Sequence, residues 1–267
     1  TQFNVLNPVC SPSRTAVMTG QYPARWGVHQ HFAHPAQNRQ RDMPDWLDPQ
    51  TPTLPRMLQS AGYATAHYGK WHLSNDMIPD SPLPTVYGYD DYGAFNCAGE
   101  QIPVHEDATR AIAFIEKSAA AKKPFFINLW IHEPHTPFHT VPKYEWRFRD
   151  MKSREDQIFA SVLSHADDRI GEVLAALDRL KLTENTLVIF SSDNGCSAKD
   201  ANVKELNKHA HFPSGQYRGY KTELWEGGHR VPFIASWPAR IKTGTSNNST
   251  VCLNDLFATC AEILGTP

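Results

Sequence analysis

Cys10-Ser11-Pro12-Ser13-Arg14-Thr15-Ala16-Val17-Met18-Thr19-Gly20 is the stretch on which the reading of this chain turns. Pro12 suits the first turn of a helix, because it has no N–H to leave unpaired and its φ is already set. Residues 13–18 can carry the helix on, and Thr19-Gly20 can end it. Cys10 then lies at a helix N-terminus, where free N–H groups and the helix dipole favour negative charge. That setting activates a nucleophile and draws an anionic substrate. Arg14 stands one turn further and can reach back to the same point. A lone Cys-x-Pro would read as a surface turn before an amphipathic helix.

Outward from this stretch, the 267 residues are 40% hydrophobic and 20% charged, an ordinary globular composition with room for one large core. The net charge of −2 gives no reason to expect a nucleic-acid partner, so any anion recognition has to be local. There are 13 His and 20 Pro, and the prolines point to long shaped loops. The five cysteines, Cys10, Cys97, Cys196, Cys252 and Cys260, contain no C-x-x-C pair, so a zinc ribbon or thioredoxin-like site is not indicated. At most two disulfides are possible, and the sequence does not choose between pairings. No apolar run approaches the ~20 residues of a membrane span.

Short apolar runs alternate with helical patterns, which predicts an α/β sheet covered by helices. Residues 53–58, 109–118, 158–180 and 253–264 read as helices. The third is the best of them, with apolar residues every three or four positions. Residues 63–67, 125–131, 187–190 and 231–237 read as strands, those at 125–131 and 187–190 as buried ones. Residues 75–85 and 199–212 read as long loops.

Polar clusters fall at the C-terminal ends of these strands, the edge at which open α/β sheets bind ligands. Gly69-Lys70-Trp71-His72-Leu73 offers a cation beside a possible general acid or base; alone it would be a solvated lysine and a hydrogen-bonded histidine. His132-Glu133-Pro134-His135 is not a zinc-protease H-E-x-x-H, since its histidines are three apart and Pro134 prevents a helix. Asp193-Asn194-Gly195 is a turn signal, but a carboxylate and an amide oxygen at a ligand-binding edge also suit Ca²⁺ or Mg²⁺. Arg218-Gly219-Tyr220-Lys221 leads into Trp225-Glu226-Gly227-Gly228-His229-Arg230-Val231-Pro232, where glycines allow close backbone approach. Asp90-Asp91 and Asp167-Asp168 read as structural acid pairs. His29, His31 and His34 form a loose cluster that either lines the pocket or, the preferred reading, lies on the surface.

Together these segments resemble the type I sulfatases. Cys10 to Gly20 is similar to their C-x-P-S-R-x-x-x-[LM]-T-G signature. The other segments are similar to G-K-W-H-L, H-x-P-H, S-x-D-N-G, R-G-x-K and W-E-G-G-x-R-V-P, in family order. The resemblance implies an alkaline-phosphatase-like α/β fold, with a central mixed, largely parallel sheet covered by helices on both faces. It implies that Cys10 is oxidised to Cα-formylglycine by a formylglycine-generating enzyme. One hydroxyl of the aldehyde hydrate then attacks sulfur, and the other later expels sulfate. Arg14 would hold the hydrate, and Lys70, His72, His132 and Lys221 would contact the sulfate or residue 10. Asp193 and Asn194, with residue 10, would be ligands to Ca²⁺, or alternatively Mg²⁺. His135 is substrate-facing or structural, the two readings standing equal. Residues 226–232 would be mainly structural.

The family begins with a strand that ends in a metal-binding Asp pair, whereas residues 1–9 hold no acid, and it continues beyond a segment like residues 253–257 into a smaller domain. The expectation is therefore that residues 1–267 form an incomplete N-terminal catalytic domain, lacking that strand and the C-terminal subdomain. The function implied is hydrolysis of a small-molecule or carbohydrate sulfate ester by an exported protein. The alternatives are a phosphate or phosphonate ester hydrolase of the same superfamily, or a non-catalytic carbohydrate-binding piece. The natural substrate and the oligomeric state are not legible.

Overall fold

The computed structural model describes residues 2–99, 101–103, 105–197 and 214–266. Its first helix, α1 (Cys10–Thr19), begins after extended Val9 and ends at Gly20, whose φ of 66° lets its N–H cap the Ala16 carbonyl. A side chain at Gly20 would collide with Phe257, its Cβ 2.6 Å from that of Phe257, so glycine both ends the helix and admits a neighbour. Phe257 belongs to α8 (Asp255–Leu264), which packs on α1.

The centre is a parallel three-stranded sheet. β2 (Ala64–Lys70) lies between β3 (Asp91–Phe95) and β4 (Phe125–Trp130). β2 is longer than the expected 63–67 strand because pairing continues to Lys70 opposite Phe95. Gly69 opposes Ala94 on one side and Trp130 on the other, and a Cβ there would stand 2.1 Å from the Trp130 carbonyl oxygen. Every residue of β2 is buried. Trp71, Leu73, Tyr87 and Tyr89 continue this core together with Met18 and Leu47.

Two smaller sheets flank it. β1 (Gln2–Asn4) runs parallel to β7 (Thr250–Cys252), and β5 (Val188–Ser191) runs antiparallel to β6 (Phe233–Ser236). Phe3 stacks on Phe233, ring centroids 4.2 Å apart, joining the two pairs. The mostly parallel α/β character is as expected, but the described strands form three sheets rather than one continuous sheet.

The helices between strands are α2 (Pro35–Gln40), α3 (Leu54–Ser60), α4 (Asp107–Ala120), α5 (Pro142–Arg147), α6 (Arg154–Arg179) and α7 (Glu226–His229). α6 starts where the Ser153 hydroxyl accepts the Asp156 N–H, a side-chain cap. β4 and β5 are the strands read as buried, and both are largely half-buried or exposed instead. They face a cavity of about 2070 Å³, also lined by Leu163, Leu174 and Leu256. The loop expected over residues 199–212 lies outside the described residues. All five cysteines are free thiols.

Candidate active site

Cys10 is the first residue of α1 and only 3% exposed. No side chain caps this helix start, so the first-turn N–H groups are left for a ligand or for residue 10 itself. Lys70 ends β2, and its Nζ lies 3.5 Å from Cys10 Sγ. The two meet because the C-terminal end of β2 and the N-terminus of α1 converge. Burial lowers the proton affinity of the Lys70 ammonium, and Cys10 and Asp193 oppose that loss.

Arg14, also buried, ties three segments together. One guanidinium nitrogen donates to the Lys70 carbonyl at 2.7 Å, the other to Asp193 Oδ2 at 2.6 Å. Its guanidinium carbon lies 4.7 Å from the centre of the Trp130 ring at the end of β4. Burial by itself would raise the Asp193 carboxyl, but Arg14, Lys70 and Lys221 outweigh it and hold the group at about 2. Asn194 Nδ2 donates to the Gly195 carbonyl, which leaves its buried Oδ1 without a hydrogen-bond partner.

His72 is buried, in a left-handed conformation with φ 56°. Its Nε2–H donates to the Phe32 carbonyl at 3.1 Å, while its buried Nδ1 has no hydrogen-bond partner. Burial, then the charges of Lys70 and Arg14, keep it neutral, well below the ordinary histidine range. His132 follows β4; its Nε2–H donates to the Pro137 carbonyl, and burial and then Lys70 lower its pKa. Lys221 lines the same cavity as Arg14, Lys70, His132, Asp193 and Asn194, and its charge is felt by Asp193, Lys70 and His31. Its backbone N–H donates to the Cys196 carbonyl, which fastens its loop beside Asp193.

The structure thus brings Cys10, Arg14, Lys70, His72, His132, Asp193, Asn194 and Lys221 to one region. Of the histidine cluster, His31 is not a surface residue. Its ring is 6.1 Å from that of His72, and burial, Arg41, Lys221 and Lys70 lower its pKa. The neighbouring Phe32 N–H donates to Ser11 Oγ, which holds the His31 segment against α1, and no sequence spacing shows that. His34 instead caps α2, accepting the Ala36 N–H. His135 is bonded within its own loop, to the Thr136 carbonyl. Asp90, Asp91 and Asp168 of the acid pairs are structural: Asp90 accepts from the Thr65 N–H, Asp91 from Tyr68 Oη and Asp168 from Tyr144 Oη. Trp130 and Asn75, the latter donating to the same Phe32 carbonyl as His72, were not foreseen; both sit within five residues of a recognised motif.

A metal fits the donor set only in part. Asp193 and the orphaned Asn194 Oδ1 are oxygen donors on one loop, as a hard cation prefers, but Ca²⁺ takes six to eight oxygens.

Comparison with known proteins gives the lineage. The sulfatase family model matches residues 1–266. The chain is similar to N-acetylgalactosamine-6-sulfatase of Canis lupus familiaris, 29% identical over 98% of this chain and 54% of that relative. Arylsulfatase G of Rattus norvegicus is 25% identical over 98% of this chain and 57% of its own length. The chain therefore spans about half the length of the curated relatives it matches. Among solved structures, Ps i-CgsB in complex with k-i-k-neocarrahexaose superposes with a TM-score of 0.82 at 24% identity, covering all of this chain and 63% of that one. The alkaline-phosphatase-like fold of these structures is the fold seen here. With a family match along nearly its whole length, the chain belongs to the sulfatase family.

Proposed function

We propose that the full-length protein hydrolyses sulfate esters of carbohydrates, with residue 10 as the nucleophile position. The observation that carries this reading is the buried Cys10 at the start of α1, its Sγ 3.5 Å from Lys70 Nζ and its helix tied by Arg14 to Asp193. Oxidised to formylglycine by a formylglycine-generating enzyme, residue 10 would supply a geminal diol as nucleophile. Asp193 and Asn194 would hold Ca²⁺ or Mg²⁺, which supplies Lewis-acid polarisation of a sulfuryl oxygen. A further strand in the groove between β4 and β5 would be placed to add acidic ligands that residues 1–9 lack.

The chain's own residues do the remainder. Lys70 and Lys221 bind the sulfuryl oxygens and neutralise the charge that grows on them, usually the largest contribution to such catalysis. Arg14 orients Asp193 and braces the Lys70 backbone. The Nε2–H of His72 and of His132 is taken by a backbone carbonyl, so the Nδ1 of one of these neutral rings would take the proton of the attacking hydroxyl and pass it to the leaving alcohol. A carbohydrate sulfate fits the names of the relatives, and the protein would act outside the cytosol. Among the described residues no helix is long and apolar enough to cross a membrane.

The test is peptide mass spectrometry of Cys10 from full-length protein made beside a formylglycine-generating enzyme, with assays on matched sulfate and phosphate esters. The expected outcome is loss of H₂S and gain of oxygen at Cys10, with hydrolysis of sulfate esters only. Lys221→Ala should lower kcat/KM at least ~10²-fold, the scale of one lost transition-state donor. Unmodified Cys10 in an active enzyme, or preference for the phosphate ester, would sink the reading.

A further inference from the structure

We propose that His105, Glu133 and His165 form a second cation site, separate from the Cys10 region and suited to Zn²⁺. Three elements converge there: the segment leading into α4, the loop after β4 and the middle of α6. The ligand-capable atoms of the three residues lie within 4.8 Å of one another. His105 Nδ1 is 2.9 Å and His165 Nδ1 3.3 Å from the same oxygen, Glu133 Oε1. Tetrahedral Zn²⁺ with bonds of about 2.0–2.1 Å sets its ligands about 3.3 Å apart. The three atoms are therefore already near the spacing of ligands around one ion.

The surroundings fit a cation better than a bare hydrogen-bonded triad. The Glu133 side chain is 8% exposed, and among the described residues its ion-pair partners are two imidazoles. A desolvated carboxylate requires a compensating charge. His105 Nδ1 is buried and makes no well-directed hydrogen bond, although Oε1 is close; the approach is off the N–H direction. His105 also holds a φ of 68°, a left-handed conformation that a non-glycine residue keeps only where its surroundings impose it. The His105 and His165 rings stand nearly perpendicular with centroids 4.2 Å apart, and the Tyr144 ring abuts His165 at 5.3 Å. Tyr144 is fixed in turn by donating to Asp168. Such outer contacts are what orient metal-binding imidazoles.

Two imidazoles and one carboxylate suit Zn²⁺ and its transition-metal neighbours, whereas Ca²⁺ and Mg²⁺ take all-oxygen shells. The consequence for the molecule is positional. Glu133 directly follows His132, so an ion here would fasten that loop to α6 and to the segment before α4. It would thereby hold His132 in place without touching substrate.

The test uses the full-length protein, stripped with chelator and titrated with Zn²⁺ or Co²⁺, in an Asp193→Asn background that weakens the other site. One equivalent of Zn²⁺ is expected, with a tetrahedral Co²⁺ absorption band and a Zn²⁺-dependent rise in Tm that excess Ca²⁺ does not reproduce. His105→Ala, in a partly exposed loop, and His165→Gln should each weaken Zn²⁺ binding by at least ~10²-fold. If His165→Gln does not fold, His105→Ala decides. No Zn²⁺ uptake, or equal affinity and stoichiometry with and without His105, would leave an ordinary histidine–carboxylate cluster and overturn the proposal.

Discussion

On one side of β4 the molecule is closed; on the other it is open. β2 is paired along both edges, and its side chains and those of Trp71 and Tyr87 beyond it are wholly or almost wholly removed from water. β4 and β5 are each paired along one edge among the described residues. They are at least as apolar as β2, yet Phe190 is 43% exposed, and Leu174 across the groove is 43% exposed as well. The difference lies in neighbours. An apolar strand is buried only when sheet partners and covering helices occupy all its sides, and composition alone does not guarantee that. The candidate active site lies on the seam, with Cys10 and Lys70 from the closed side and Asp193 and Lys221 from the open one.

The strongest way to break this contrast is a pair of truncations. Trp71→Ala empties a filled core and should cost about 3–5 kcal/mol in chemical denaturation. In the 267-residue chain Phe190→Ala, already half in water, should cost less than about 1 kcal/mol. Equal losses would mean that the groove is a packed core in solution.

A pH series sharpens the same contrast from the closed side. His67 is fully buried among the rings of Trp71, Tyr89 and Trp130, and burial, then Arg14, lowers its pKa to about 3. The folded state keeps it neutral, while the unfolded chain takes up a proton below about 6.5. The unfolded state therefore binds more protons, and stability falls as pH drops below that point, by about 1.4 kcal/mol per unit, down to the folded pKa. Neutral His72 adds to the slope with the same sign. Unfolding free energies at pH 7 and pH 5 should differ by about 2 kcal/mol less in His67→Phe than in the parent. An unchanged difference would show that His67 is protonated or solvated when folded.

The smallest effect is a gain. Gly171 lies on the solvent face of α6, and a Cβ there would meet nothing within 4 Å. Gly171→Ala should stabilise by roughly 0.5–1 kcal/mol, because alanine loses less backbone freedom in a helix. The same replacement at Gly69, against the Trp130 carbonyl, should destabilise. Midpoints from thermal melts of the two variants test both signs.

What could be read from the residues follows the same division. The start of α1, its end at Gly20 and the long α6 carry local signals (a proline, a glycine, a period of three to four), so they were legible. Lys70, His132 and Asp193 were legible as strand-end residues because a strand followed by polar residues is itself a local pattern. β3 was not, since Asp91-Tyr92-Gly93-Ala94-Phe95 has no strand composition and is held by its ladder to β2. The exposure of β4 and β5 was missed because burial depends on what lies alongside a strand. His31 beside His72, and the grouping of His105, Glu133 and His165, arise from chain reversals and long-range packing, to which spacing is blind.

The depth of Cys10 has a consequence in time. With 3% of its surface exposed, the thiol is out of reach once α1 docks against the end of β2. An enzyme that converts this side chain as proposed would have to work on the chain before that docking, and its action would then compete with folding. Given that conversion, conditions that speed folding would lower the modified fraction, and a slowly folding variant would emerge more completely modified than a fast one.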